Sequence, residues 1–126
     1  MDNMERHIIL GTDFWTDCDD VAAIRLACRF AKQKLWTLEG VVLNACMAYS
    51  APALGGFLAH EGVSCPVGID REASDFGGNP PYQKNMAALC PSPLTNDACE
   101  DGTALYRRIL SRVPDGTAEI LEIGYP

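Results

Sequence analysis

No C-x-x-C pair, no glycine-rich phosphate loop and no basic stripe occurs in these 126 residues. Each absence removes a class of function. Six cysteines are present (Cys18, Cys28, Cys46, Cys65, Cys90, Cys99), but none stands at the spacing that a zinc knuckle or a thioredoxin-type motif requires. The start of the chain lacks the pattern of a secretory leader, so the thiols are expected to be reduced, mostly buried and packed as small apolar groups. Gly11 has neither G-x-G-x-x-G nor a P-loop lysine around it, which excludes a backbone cradle for phosphate. Ten Lys+Arg against 17 Asp+Glu leave a net charge of −7. Nucleic acid and anionic membranes are therefore poor partners, since both need clustered cations. The apolar run around residues 40–43 is far short of the ~20 residues of a membrane span. The expectation is a soluble, cytoplasmic protein.

What is present is globular: 48% of the residues are apolar and 21% charged, at a length typical of one domain. The periodicity alternates. Residues 7–10 form a short apolar run, and from Asp19 to Lys32 the apolar positions Val21, Ile24, Ala27, Cys28 and Ala31 recur at helical spacing. Residues 36–43 read as a second strand buried on both faces. Ser50 can cap a second helix that carries Pro52 in its first turn and stops at Gly62. Residues 63–69 read as a third strand. A further helix is expected near Asp97, with Glu100 at capping-box spacing and Leu105, Ile109 and Leu110 as its stripe. After the turn at Pro114-Asp115-Gly116, residues 117–123 read as a fourth strand.

Strand–helix alternation calls for an α/β fold, an open parallel sheet with helices on both faces in a Rossmann-like arrangement. The right-handed crossover rule then brings Asp13, Asn44, Asp70 and Tyr125 to one sheet edge, where such folds bind ligands. Between the third strand and the next helix, residues 70–96 hold four of the eight prolines and the Gly77-Gly78 pair. A connection of that length is usually functional, and it is expected to lie over the edge. A helical turn at residues 82–89 interrupts it. Tyr82 and Gln83 are expected at the surface there. Four strands, three helices and an ending just past a strand leave apolar surface uncovered, so a truncated domain is expected, self-associating through its final strand.

The densest chemistry lies between the first strand and the first helix. Asp13, Asp17, Asp19 and Asp20 fall within eight residues. Acids at a helix start answer its positive end. Four of them repel one another, and that crowding favours a cation with oxygen ligands. The loop is not an EF-hand, because it lacks the turn glycine and the terminal Glu. Asp17 reads best as helix-start charge.

His7-Ile8-Ile9-Leu10-Gly11-Thr12-Asp13 followed by Asp17-x-Asp19-Asp20 resembles the amino-terminal signature of the inosine–uridine nucleoside hydrolases. Gly11 stands where the shorter form of that signature has its first acid. Gly40-Val41-Val42-Leu43-Asn44 resembles the family's second strand, Cys65-Pro66-Val67-Gly68 its third, and residues 101–124 its later helix and strand. The likeness runs over nearly the whole chain and implies the amino-terminal part of one such domain. It implies hydrolysis of the N-glycosidic bond of ribonucleosides by a calcium-bound water, with the site incomplete in this part of the domain, so that this chain alone is not expected to turn over at an enzyme's rate. Asp13 would be general base and metal ligand, Asp20 a metal ligand, and Asp19 and Asn44 would bind the ribose. No histidine falls at a strand's carboxyl end, so His7 and His60 are expected to be structural. The other reading is a non-catalytic module of the same fold that binds metal or a partner.

Overall fold

The chain runs β1 (His7–Thr12), α1 (Asp19–Lys32), β2 (Thr37–Leu43), α2 (Ser50–His60), β3 (Val67–Ile69), α3 (Gln83–Leu89), β4 (Glu100–Asp101), α4 (Gly102–Arg112) and β5 (Ala118–Glu122). These elements come from a computed structural model that describes residues 5–15, 18–74 and 82–124. All strand pairs are parallel, in the order β4-β3-β2-β1-β5. The first four strands step outward in one direction, and β5 then returns to the far side of β1. That reversal creates a topological switch point between β1 and β5.

The reversal also sorts the helices. Ile24, Ala27 and Cys28 of α1 and Leu54, Phe57 and Leu58 of α2 pack with Ile8, Leu10, Val41 and Leu43 on one face. On the other, Leu105 and Ile109 of α4 meet Ile9 and Val42. Strands β1 and β2 are covered on both faces, as their unbroken apolar runs predict. Acids in the first turn of α1 (Asp19, Asp20) and bases in its last (Arg29, Lys32) suit the helix dipole. No helix among the described residues is long and apolar enough to cross a membrane.

One residue of β2 breaks the alternation. Ile8 pairs with Leu38 but Ile9 pairs with Gly40, so Glu39 is the extra residue of a bulge. The slip puts Leu38, Val41 and Leu43 on the α1 side and Val42 on the α4 side. Glu39 itself is buried, 7% exposed. Its carboxylate receives Arg112 of α4 at 2.8 Å and lies 2.7 Å from Nδ1 of His7. Both partners hold Glu39 below the usual carboxylate range against the effect of its burial. This cluster ties α4 to the amino end of the sheet. His7 is structural, as expected, and His60 closes α2 on the surface.

The structure corrects several boundaries. There are five strands among the described residues, not four: Glu100-Asp101 pairs with Gly68-Ile69, and two residues are too few to show a periodicity. The cap of the following helix is consequently Asp101, which accepts the Ala104 N–H at 3.0 Å, and not Asp97. Ser50 lies inside α2 with Tyr49 at the N-cap, and its hydroxyl accepts the Met47 N–H at 2.8 Å. Leu110 is 43% exposed and leaves the α4 stripe. The cysteines are free, but only Cys28 and Cys99 are fully buried and Cys18 is exposed. Burial pushes the Cys28 thiol up to about 11 and Cys65 up to about 12, which makes both inert.

Truncating Glu39 would strand His7 and Arg112 together. Glu39→Ala is expected to destabilise the fold by about 2 kcal/mol, below the ~3–5 kcal/mol for a fully buried pair, because Arg112 is half exposed. The midpoint of urea unfolding measures it.

Candidate functional site at the switch point

Three backbone hydrogen bonds extend the ladder one residue past the strands. Ile123 N–H donates to Gly11, Asn44 N–H to Thr12 and Asp70 N–H to Leu43, each at 2.9 Å. Asp13, Asn44 and Asp70 therefore leave the sheet at one edge, as the crossover rule predicts. Tyr125, expected beside them, lies outside the described residues.

Past β1 the chain turns sharply. Phe14 has a positive φ of 47°, and its N–H donates to the Thr12 hydroxyl at 3.0 Å and reaches Asp20 Oδ2 at 3.4 Å. The Thr12 hydroxyl donates to the same Asp20 oxygen at 2.5 Å. Asp20 is thereby buried, 5% exposed, with its charge answered by donors from β1 and the turn. The Phe14 ring is fully buried, 6.4 Å from Phe57 and edge-on to Tyr82 at 5.5 Å. Gln83 corrects the surface placement expected for it: it is fully buried, and its Nε2 donates to the Phe14 carbonyl. Tyr82 is half-buried. Helix α3 thus holds the turn that carries Asp13.

Asp13 and Asp20 come together. Partial burial, a hydrogen bond with Asp20 and the Asp20 charge push the Asp13 carboxyl up to about 7, and backbone N–H groups offset only part of this. Below that value Asp13 keeps its proton. Asp19 stands apart: it is exposed, and its Oδ1 accepts the Asp20 N–H at 3.1 Å. Asp17 lies outside the described residues. Among the described residues no three His, Cys, Asp or Glu side chains are grouped to hold a metal ion.

The residue that the sequence reading missed is Glu122. It pairs with Gly11 across the switch point, and a Cβ on Gly11 would fall inside its carboxylate. Its Oε1 accepts from Asn44 Nδ2 and from the Gly124 N–H at 3.1 Å. On the α4 side, burial and then the Glu122 charge raise the Tyr106 hydroxyl. A cavity of about 810 Å³ opens instead at the opposite end of the sheet, lined by Arg6, Lys32 and Trp36 among others. Two of its cations are committed, Arg6 to Glu119 at 2.8 Å and Lys32 to the Glu61 carbonyl at 2.6 Å, and Lys34 lines it as well.

The comparisons decide no identity: no protein-family model, no curated protein and no solved structure matches this chain. The fold is a parallel α/β sheet flanked by helices on both faces, a generic Rossmann-like and enzyme-like arrangement.

The proton on Asp13 fixes a pH dependence. Unfolded, Asp13 ionises near pH 4; folded, it keeps its proton to about pH 7. The folded state therefore binds the extra proton between those values, and this pair's contribution to stability falls as pH rises from about 4 to about 7. Asp13→Asn, which keeps a donor for Asp20 without a charge, is expected to remove that fall. Urea midpoints at pH 5 and pH 8 check it: the variant gains on the wild type at the higher pH.

Proposed function

We propose that this edge is the cation- and sugar-binding face of a nucleoside N-ribohydrolase site, and that the chain belongs with the inosine–uridine nucleoside hydrolases. The observation that carries the reading is the meeting of Asp13, Asp20 and Asn44 at one switch-point edge. They are three of the four residues that the signature assigns to metal and ribose, and they come from two different strands and a helix. The donors suit calcium in kind, since Asp13 and Asp20 both offer carboxylate oxygen. When bound, calcium supplies a Lewis acid that acidifies water and grips vicinal hydroxyls.

In this reading Asp13 takes a proton from the attacking water. Burial, with Asp20 beside it, holds Asp13 near 7 before a cation binds; the cation's charge would then favour the ionised form, which is the form that takes a proton. Asp20, fixed by Thr12 and Phe14, sets the place of the cation beside it. Asn44 and the exposed Asp19 bind ribose hydroxyls and orient the anomeric carbon. Cleavage of the N-glycosidic bond builds positive charge on the sugar, and the ionised carboxylates stabilise it. A neutral nucleoside also suits a chain of net charge −7. At this edge the described residues include no histidine to protonate the departing base, His7 and His60 being elsewhere. Missing general-acid help lowers a rate by typically ~10²–10⁴-fold, so slow turnover is expected of this chain.

Calorimetric titration of calcium into the chain and into Asp20→Asn tests the cation site. Binding at millimolar calcium or below is expected for the wild type. It should be about fivefold weaker at pH 6 than at pH 7, because the proton that Asp13 keeps to about pH 7 must leave. The variant should bind at least tenfold more weakly. Equal heats from both proteins, or none from either, reject calcium at this edge. Ribose released from inosine or uridine, slowly, and lost in Asp13→Ala, supports the hydrolase. Calcium binding without any release points to the non-catalytic module.

A further inference from the structure

Gln83 is fully buried, yet only half of its carboxamide is used. Nε2 donates to the Phe14 carbonyl, whereas Oε1 is buried and meets no partner among the described residues. Leaving an acceptor unmet costs free energy that an apolar side chain of the same volume would avoid. The bond to Phe14 is therefore what this residue brings to the core. Its flip is fixed as well, because the reverse would set Oε1 against the Phe14 carbonyl oxygen, acceptor against acceptor.

That carbonyl belongs to a peptide group whose other end faces Asp13. The group is planar and trans, so its C=O and N–H point in opposite directions. At one end Gln83 holds the Phe14 oxygen; at the other the Trp15 N–H donates to the Asp13 carboxyl. A rotation of the plane about the chain breaks both bonds together. The preceding peptide is pinned too, with the Phe14 N–H on the Thr12 hydroxyl at 3.0 Å. Between the two planes Phe14 has its φ of 47°, a value that a bulky residue keeps only where its surroundings hold it.

We infer, on the reading of Asp13 and Asp20 as cation ligands, that Gln83 is a positioning residue of this edge. It fixes the Phe14–Trp15 peptide, and through that peptide it holds the Asp13 carboxyl in the orientation that presents both acids to one cation. Gln83 itself touches neither cation nor sugar. The seat of the cation, built on β1 and α1, is thus set in part from α3. One hydrogen bond between neutral groups changes such an equilibrium by about fivefold.

The test uses the full chain and three proteins. Gln83→Met keeps the volume and removes the donor. Met86→Ala trims a partly buried side chain of the same helix and leaves the Gln83 bond in place. Backbone amide spectra establish that each is folded. In Gln83→Met the Trp15 amide proton is expected to exchange about fivefold faster than in the wild type, and calcium, titrated at pH 7, to bind about fivefold more weakly. Met86→Ala should change neither. A Trp15 amide unmoved by Gln83→Met overturns the inference. So does an amide that loosens while calcium affinity stays constant, or equal losses in Met86→Ala, which would mark a merely structural helix. Should Gln83→Met fail to fold, the wild type carries the test, because coupling between two sites is reciprocal. Saturating calcium should then slow exchange of the Gln83 Nε2 protons by about the same fivefold factor, and unchanged exchange overturns the inference. If the wild type binds no calcium but the Trp15 amide loosens in Gln83→Met alone, the cation reading fails and the hold of Gln83 on Asp13 stands.

Discussion

A carboxylate buried at the join of the first strand and first helix governs the carboxyl edge of the sheet. Asp20 is almost wholly removed from water, a placement that is costly unless donors meet it. Two do, the Thr12 hydroxyl and the Phe14 N–H, and both require the chain to double back immediately after β1. The positive φ of Phe14 follows from that turn, and the burial of its ring among Phe57 and Tyr82 stabilises it. Asp13 is then left against Asp20 and keeps its proton to about pH 7. A fold selected for stability alone would have little reason to hold two acids in contact. In the proposed reading that juxtaposition serves a cation, or a base near neutrality.

The two ends of the sheet treat charge in opposite ways. At the amino end, Glu39 is neutralised by His7 and Arg112, and Arg6 lies paired with Glu119 and over the Trp36 ring, 5.5 Å from its centre. Those charges are matched. At the carboxyl end, Asp13, Asp20 and Glu122 are met by hydroxyls, backbone N–H groups and a carboxamide. Asp20 and Glu122 meet no cationic side chain among these partners. The proposed site lies at the carboxyl end, whereas the 810 Å³ hollow opens at the amino end.

Much of the fold was legible because its signals are local. Helix α1 follows from apolar spacing with acids before and bases after it, and its bounds agree with the structure. The common edge of Asp13, Asn44 and Asp70 followed from the handedness of strand–helix–strand units. What could not be read was contact between distant segments. Strand β4 is two residues held only by Gly68 and Ile69. Gln83 has the sequence context of a surface loop, and only its bond to the Phe14 carbonyl accounts for its burial. The bulge at Glu39 likewise depends on partners 32 and 73 residues away.

Glu122 is the sharpest case of that limit. A linear signature registers Gly11 as the loss of an acid. In space the loss is a vacancy on β1 that the neighbouring strand fills from the other side of the switch point. The pairing of β5 with β1 is the longest-range strand contact in the chain, and it alone brings residue 122 to residue 11. The charge at the edge is thus a property of two strands together. A glycine at the end of a first strand should be judged against the residue its neighbour presents there.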